Sequence, residues 1–196
     1  MAQRKATVER STKETQLKLS LNLDGEGKFK GSVGLPFLEH MFDLVARHGY
    51  FDLEIGGKGD LEVDCHHTVE DLGICFGEAL KKAVGDKKGI ARFGSAQVPL
   101  DEARAECVLD LSGRAFLAYD AAHTRDQIGN YALELTEHFF RSVVSAAALT
   151  LHLRMISGSN DHHIQECLFK SFARALSEAV RRNPREKGVP STKGSL

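Results

Sequence analysis

Two short runs concentrate the residues of this chain that could do chemistry: Asp64-Cys65-His66-His67-Thr68-Val69-Glu70-Asp71 and Asn160-Asp161-His162-His163-Ile164-Gln165-Glu166. Each contains His-His-x-x-Glu. On an α-helix, residues three and four apart share a face. Glu70 therefore lies on the side of both His66 and His67, and Glu166 on the side of both His162 and His163. The two imidazoles of a doublet diverge by about 100° around the axis. One turn thus offers two nitrogens and a carboxylate aimed at two neighbouring points, which suits a divalent cation of borderline hardness such as manganese, iron or zinc. Two such turns suggest two metals. A lone helical His is ordinarily structural or solvated, but four of the nine histidines fall in these two matching turns. Cys65 is a further possible ligand, although a small buried residue ahead of the helix explains it as well.

Elements that could carry these turns follow from hydrophobic periodicity. Residues 6–10 and 15–23 alternate apolar and polar as strands do. Asp24-Gly25-Glu26-Gly27 is a turn, and 29–33 a short strand. Pro36 opens a helix over 37–48, which Gly49 closes. Strand resumes over 52–55, and Gly56-Gly57-Lys58-Gly59-Asp60 reads as a turn. The first doublet then starts a helix to about Val84, stopped by Gly85. The order repeats: strands over 95–100, 105–111 and 115–119, a helix over 133–149, a strand over 151–156, and a helix from the second doublet to about Arg182.

The two doublets lie 96 residues apart, and Leu38-Glu39-His40-Met41-Phe42 precedes Thr136-Glu137-His138-Phe139-Phe140 by 98. Offsets that agree this closely indicate an internal duplication. The expected fold class is α+β, with a first half over 1–88, a second over 89–182 and a tail over 183–196. A small sheet with two helices cannot cover its own apolar faces, so the halves must pack together as one compact domain. The duplication adds His40 and His138 as equivalent residues on the other helix of each half. The candidate ligands are then His40, His66, His67, Glu70, His138, His162, His163 and Glu166, four for each of two metals. That number leaves coordination positions open for substrate and water. Pseudo-symmetry suggests that each metal takes one residue from the opposite doublet. His48, His123 and His152 have no repeat partner and read as structural or exposed. The pattern is not the H-E-x-x-H of a zincin, nor the Glu-x-x-His of a di-iron bundle.

Composition excludes other classes. The formal net charge is −1, without the basic stripe of a nucleic-acid binder. No apolar run approaches the roughly 20 residues of a membrane span, and the first residues lack the apolar core of a signal peptide. Four cysteines without a C-x-x-C pair suggest reduced thiols in a cytoplasmic protein. The tail, with two prolines, two glycines and three basic residues, reads by composition as a flexible terminus.

The residues also carry a family resemblance. Arg10-Ser11-Thr12-Lys13-Glu14-Thr15, Phe37-Leu38-Glu39-His40-Met41, both doublets, Arg92-Phe93-Gly94, Asp110-Leu111-Ser112-Gly113-Arg114, Phe169-Lys170 and Gly188-Val189-Pro190-Ser191-Thr192-Lys193-Gly194 together resemble the imidazoleglycerol-phosphate dehydratases of histidine biosynthesis, essentially end to end. Ala115 and Leu100 depart from the usual proline and methionine without removing a polar group. The resemblance implies a duplicated subunit with its helices packed between two four-stranded sheets. It implies two Mn(2+) per active site, and sites at subunit contacts in a homo-24-mer. The implied reaction is dehydration of imidazole glycerol phosphate to imidazole acetol phosphate. An imidazole bound through both nitrogens to two metals could persist as imidazolate, push out the neighbouring hydroxyl, and then lose the proton of its attached carbon. Glu14 is the implied acid–base residue. Arg92, Arg114, Lys170, Ser191 and Lys193 are the implied phosphate ligands, the arginines being able to grip phosphate bidentately. A di-metal hydrolase on the same scaffold, using a metal-bound water as nucleophile, is the alternative.

Overall fold

The computed structural model describes residues 4–196. Its first half runs β1 (Lys5–Ser11), β2 (Thr15–Asn22), β3 (Phe29–Ser32), α1 (Pro36–Gly49), β4 (Asp52–Gly59) and α2 (His66–Val84). The second half runs β5 (Phe93–Leu100), β6 (Ala103–Asp110), β7 (Phe116–Asp120), a small hairpin of β8 (Gln127–Ile128) and β9 (Tyr131–Ala132), then α3 (Leu135–Ala147), β10 (Thr150–Ser157) and α4 (Asp161–Val180). The sheets have orders β1-β2-β4-β3 and β5-β6-β10-β7. In both, the first two neighbouring pairs are antiparallel and the last is parallel. One topology used twice is the structural form of the duplication, and the fold is α+β.

Each sheet buries one face because its strands alternate. Thr15, Leu17, Leu19 and Leu21 of β2 point inward, as do Ala103, Ala105, Cys107 and Leu109 of β6. Helix α2 lies on β1 and β2, and α4 lies on β5 and β6. The four helices fill the layer between the sheets, and they pair across the halves: α2 with α3, and α1 with α4. They meet at six phenylalanines, Phe42 of α1, Phe76 of α2, Phe139 and Phe140 of α3, and Phe169 and Phe172 of α4. Neighbouring rings there lie 5.0 to 6.2 Å apart. Truncating one such buried ring to alanine costs about 3–5 kcal/mol.

Three expected boundaries differ, each for a packing reason. Helix α1 includes Gly49 and places Tyr50 in the left-handed region (φ 58°). A Cβ on Gly49 would stand 2.3 Å from the Phe51 ring, so Gly49 is small to admit that ring and does not itself reverse the chain. Strand β4 continues through the expected turn to Gly59, because Gly56–Gly59 pair with Thr15–Lys18 of β2. Gly57 has φ +126°, and a Cβ there would sit 2.0 Å from the Gln16 carbonyl oxygen. Helix α3 is shorter than expected at both ends, since Tyr131-Ala132 joins a hairpin and Ala148 turns left-handed. The tail is not a free terminus: Gly89 N–H donates to the Gly188 carbonyl, Asn183 N–H to Gly89, and Arg92 Nη1 to Pro190 at 2.8 Å.

Candidate active site

Cross-half helix pairing decides where the ligand candidates meet. Along α2, Gly73 and Gly77 let α3 approach: a Cβ on Gly73 would lie 2.8 Å from the Phe139 carbonyl oxygen, and one on Gly77 would lie 2.6 Å from that of Val143. One turn above Gly73, this approach brings His138 of α3 to His66 and Glu70 of α2. The His66 and His138 rings are 4.6 Å apart, and His138 Nε2 stands 3.7 Å from Glu70 Oε1. On the other side, α1 brings His40 to His162 and Glu166 of α4. His40 Nε2 is 3.1 Å and His162 Nε2 3.0 Å from the same Glu166 Oε1.

The result is two three-residue groups, His66–Glu70–His138 and His40–His162–Glu166, each with its ligand atoms within 4.8 Å of one another. Among the described residues of the one chain, no residue of the opposite doublet joins either group. The third residue comes from the opposite half but from its first helix, because α1 faces α4 and α3 faces α2. Both groups have the donor chemistry of a site for a borderline divalent cation. His138 Nε2 supports that fit, being buried without a hydrogen-bond partner among the described residues. Cys65 is in neither group; it is buried at the head of α2.

The second histidine of each doublet stands apart. His67 Nδ1 meets Asp60 Oδ2 at 2.9 Å, and His163 Nδ1 meets Glu102 Oε2 at 2.8 Å. These carboxylate bonds raise the pKa of both imidazoles, and His163 with two backbone amides holds Glu102 down at about 2. Sequence reasoning missed both carboxylates. Asp60 looked like a turn residue, and Glu102 lies 61 residues from its histidine, where no local pattern could reveal it.

Glu14 ends the β1–β2 turn, and its backbone N–H donates to Thr12 Oγ1 at 3.1 Å. Its carboxylate has no hydrogen bond or ion pair among the described residues, and its charge is one of those that raise His67. It has a positional counterpart that the sequence did not disclose: Glu102 immediately precedes β6 as Glu14 immediately precedes β2.

The phosphate candidates separate into two places. Arg92, Arg114, Ser191 and Lys193 line one open cleft of about 820 Å³ between the β5 end and the tail. Arg92 is already engaged, with Nε 2.7 Å and Nη2 3.0 Å from the Asp110 carboxylate and Nη1 on the tail. Lys170 is not in this cleft. Its Nζ lies 2.5 Å from Glu166 Oε2, one helical turn along α4. Burial pulls Glu166 upward, but the hydrogen bonds from Lys170, His40 and His162 outweigh it and hold the carboxyl at about 2.

The remaining histidines keep away from both groups. His123 accepts from Gln165 Nε2 at 3.3 Å, within a buried chain that continues through Thr136 to Tyr131. His152 lies on the outer face of β10 beside Phe116, and His48 near the end of α1 beside Arg174 and Arg181.

Residues 33–176 match the family model described as imidazoleglycerol-phosphate dehydratase, a span that includes all eight ligand candidates. The chain belongs to the imidazoleglycerol-phosphate dehydratase family. Whole-chain comparison agrees. The imidazoleglycerol-phosphate dehydratase of Moorella thermoacetica is 52% identical over 193 residues, 98% of each chain. That of Thioalkalivibrio sulfidiphilus is 53% identical over the full length of both, so Glu14 and the tail fall within the likeness. The crystal structure of the Staphylococcus aureus enzyme superposes with a TM-score of 0.83 at 37% identity, over 91% of this chain and 99% of that one. The Pyrococcus furiosus enzyme, solved in complex with (S)-C348, gives 0.82 at 31%, over 96% and 100%. Imidazoleglycerol-phosphate dehydratases are hydro-lyases of histidine biosynthesis, and this chain is an enzyme of that class. Among the described residues, no helix is long and apolar enough to cross a membrane.

Proposed function

We propose that the chain dehydrates imidazole glycerol phosphate to imidazole acetol phosphate, and that it does so with two manganese-class divalent ions per active site. The observation that carries the metal reading is the pair of equivalent His–Glu–His groups, each with its nitrogens and carboxylate oxygen within 4.8 Å. His66, Glu70 and His138 would hold one ion, and His40, His162 and Glu166 the other. When bound, the ions would supply Lewis acidity to the substrate imidazole, favouring its anionic form.

His67 and His163 turn their Nδ1 atoms to carboxylates, which leaves each Nε2 free to ligate. Since neither belongs to a group among the described residues, they are the residues proposed to complete the sites of neighbouring subunits. That requires self-association, and a closed homo-24-mer with sites at subunit contacts is the assembly proposed. Lys170 neutralises one oxygen of Glu166 and orients the other toward His40 and His162. The cleft of Arg114, Ser191 and Lys193 binds the phosphate, while Arg92 fixes the tail that supplies two of those residues. Arg114 and Lys193 are the cations that cleft offers a phosphate, Arg92 being paired with Asp110. Glu14, whose carboxylate has no partner among the described residues, moves the proton at the ring-attached carbon or at the departing hydroxyl.

The test is direct. Metal-loaded protein incubated with imidazole glycerol phosphate yields the ketone product, and protein stripped by chelator does not. Equal turnover after verified metal removal would refute metal dependence. Ester or amide hydrolysis without dehydration would favour a di-metal hydrolase.

A further inference from the structure

The carboxylates behind His67 and His163 have no assigned role. Each accepts from the Nδ1 of a doublet histidine, at 2.9 Å from Asp60 and 2.8 Å from Glu102. A carboxylate can only accept, so each Nδ1 carries the proton, and in the neutral ring each Nε2 presents its lone pair. We infer that Asp60 and Glu102 are positioning residues, which fix the tautomer and ring direction of His67 and His163 so that these bind metal through Nε2. The inference rests on the proposed reading of those histidines as ligands.

The two carboxylates occupy unrelated places in the duplicated frame. Asp60 follows β4, whereas Glu102 sits in the β5–β6 turn. The duplication alone would have delivered both contacts from equivalent positions. Its actual equivalent of Glu102 is Glu14, which precedes β2 as Glu102 precedes β6. In the second half the turn glutamate grips the histidine itself. It is braced there by the Ser159 and Asn160 amides, which donate to its other oxygen at 3.2 and 2.8 Å. In the first half Asp60 takes that position, and the turn glutamate is left without a partner among the described residues. One half thus uses its turn glutamate to hold a ligand, and the other has freed the same position for proton transfer. The geometry of Asp60 suits the substitution: Oδ2 faces His67, while Oδ1 is buried without a partner among the described residues, so the histidine is the only group this carboxylate serves there.

The experiment reads Mn(II) binding by electron paramagnetic resonance titration, independently of turnover. Asp60→Asn and Glu102→Gln keep the size of each side chain but remove its charge. Each is expected to weaken Mn(II) binding about 10–100-fold, as loss of a carboxylate behind a ligating histidine does. Asp60→Glu should recover part of the loss. In a His67→Ala background, Asp60→Asn should have no further effect, and likewise Glu102→Gln in His163→Ala. Additive losses in these double variants would show that the carboxylates act on the fold and would overturn the inference. So would variants of Asp60 and Glu102 that bind Mn(II) normally while the histidine variants lose it, a result that leaves the ligand reading intact. Undiminished binding by His67→Ala and His163→Ala would overturn the ligand reading, and the inference with it. If Asp60→Asn does not fold, Glu102→Gln with its own double variant decides.

Discussion

Replacing Glu39 by glutamine isolates what one carboxylate contributes to the placement of His40, the next residue on α1. Glu39 Oε1 collects four donors: Ser32 Oγ at 2.7 Å, and the backbone amides of Val33 at 2.8, Gly34 at 3.0 and Leu35 at 3.1 Å. Leu35 is the N-cap residue and offers no side-chain cap, so Glu39 does the capping from inside the first turn, at the positive end of the helix dipole. Burial pulls the Glu39 carboxyl upward, but these hydrogen bonds pull it further down, below its ordinary 4.5. Glutamine keeps an oxygen in the same place and removes only the charge. Hydrogen bonds to charged groups are worth about 1.5–3 kcal/mol against about 0.5–1.5 for neutral ones. One oxygen shares four partly solvated donors, so the expected loss at pH 7 is about 1–2 kcal/mol. At about 2–4 °C per kcal/mol for a chain of this size, the midpoint falls by about 2–8 °C. Because the folded pKa is depressed, this stability is present above pH 4.5 and is lost as pH falls through the lower folded value. Thermal unfolding of the metal-free parent and variant at a series of pH values should therefore show a gap that is full at pH 7 and closes in acid. A gap of constant size down to acid pH, or none at pH 7, would refute the charge-assisted cap.

The other predictions bear on the reaction itself. His66→Ala and His162→Ala should abolish turnover and lower metal content, while His123→Ala, which contacts Gln165 and neither ligand group, should retain the metal; full occupancy in both doublet variants would overturn the ligand assignment. Arg114→Ala and Lys193→Ala should raise KM with little change in kcat, because ground state and transition state share the phosphate contact. A fall in kcat at unchanged KM would give them another role. Glu14→Gln should keep its metals and its substrate affinity yet turn over about 10²–10⁴-fold more slowly, and near-normal kcat would remove Glu14 from the mechanism.

Much of the architecture was legible because it is periodic. Alternation marked β2, the 3.6-residue repeat marked the helices, and offsets of 96 and 98 marked the duplication. The structure extends that symmetry into the core. Phe42 and Phe140 are separated by the offset of the first helices, Phe76 and Phe172 by that of the second. Two of the boundaries that escaped involve glycine. At Gly49 and Gly57 a missing Cβ makes room for a neighbour, while a turn reading takes any glycine as a reversal. The tail escaped because its anchors, Gly89 and Arg92, lie about a hundred residues upstream in a different element.

The candidate site was legible in its members but not in its grouping, and the reason is physical. Periodicity states which residues share a face of one helix; which helix that face meets is decided by packing. Gly73 and Gly77 mark the face of α2 that another backbone can approach, and α3 occupies it. Once α2 pairs with α3, the duplication obliges α4 to pair with α1, so both ligand groups must draw on both halves. Each half carries two residues of one group and only one of the other. The proposed metal chemistry is thereby tied to the packing of the halves, since the helices that carry His138 and Glu70, and His40 and Glu166, meet at the six-phenylalanine junction. Loosening that junction should therefore reduce metal binding before it unfolds either sheet.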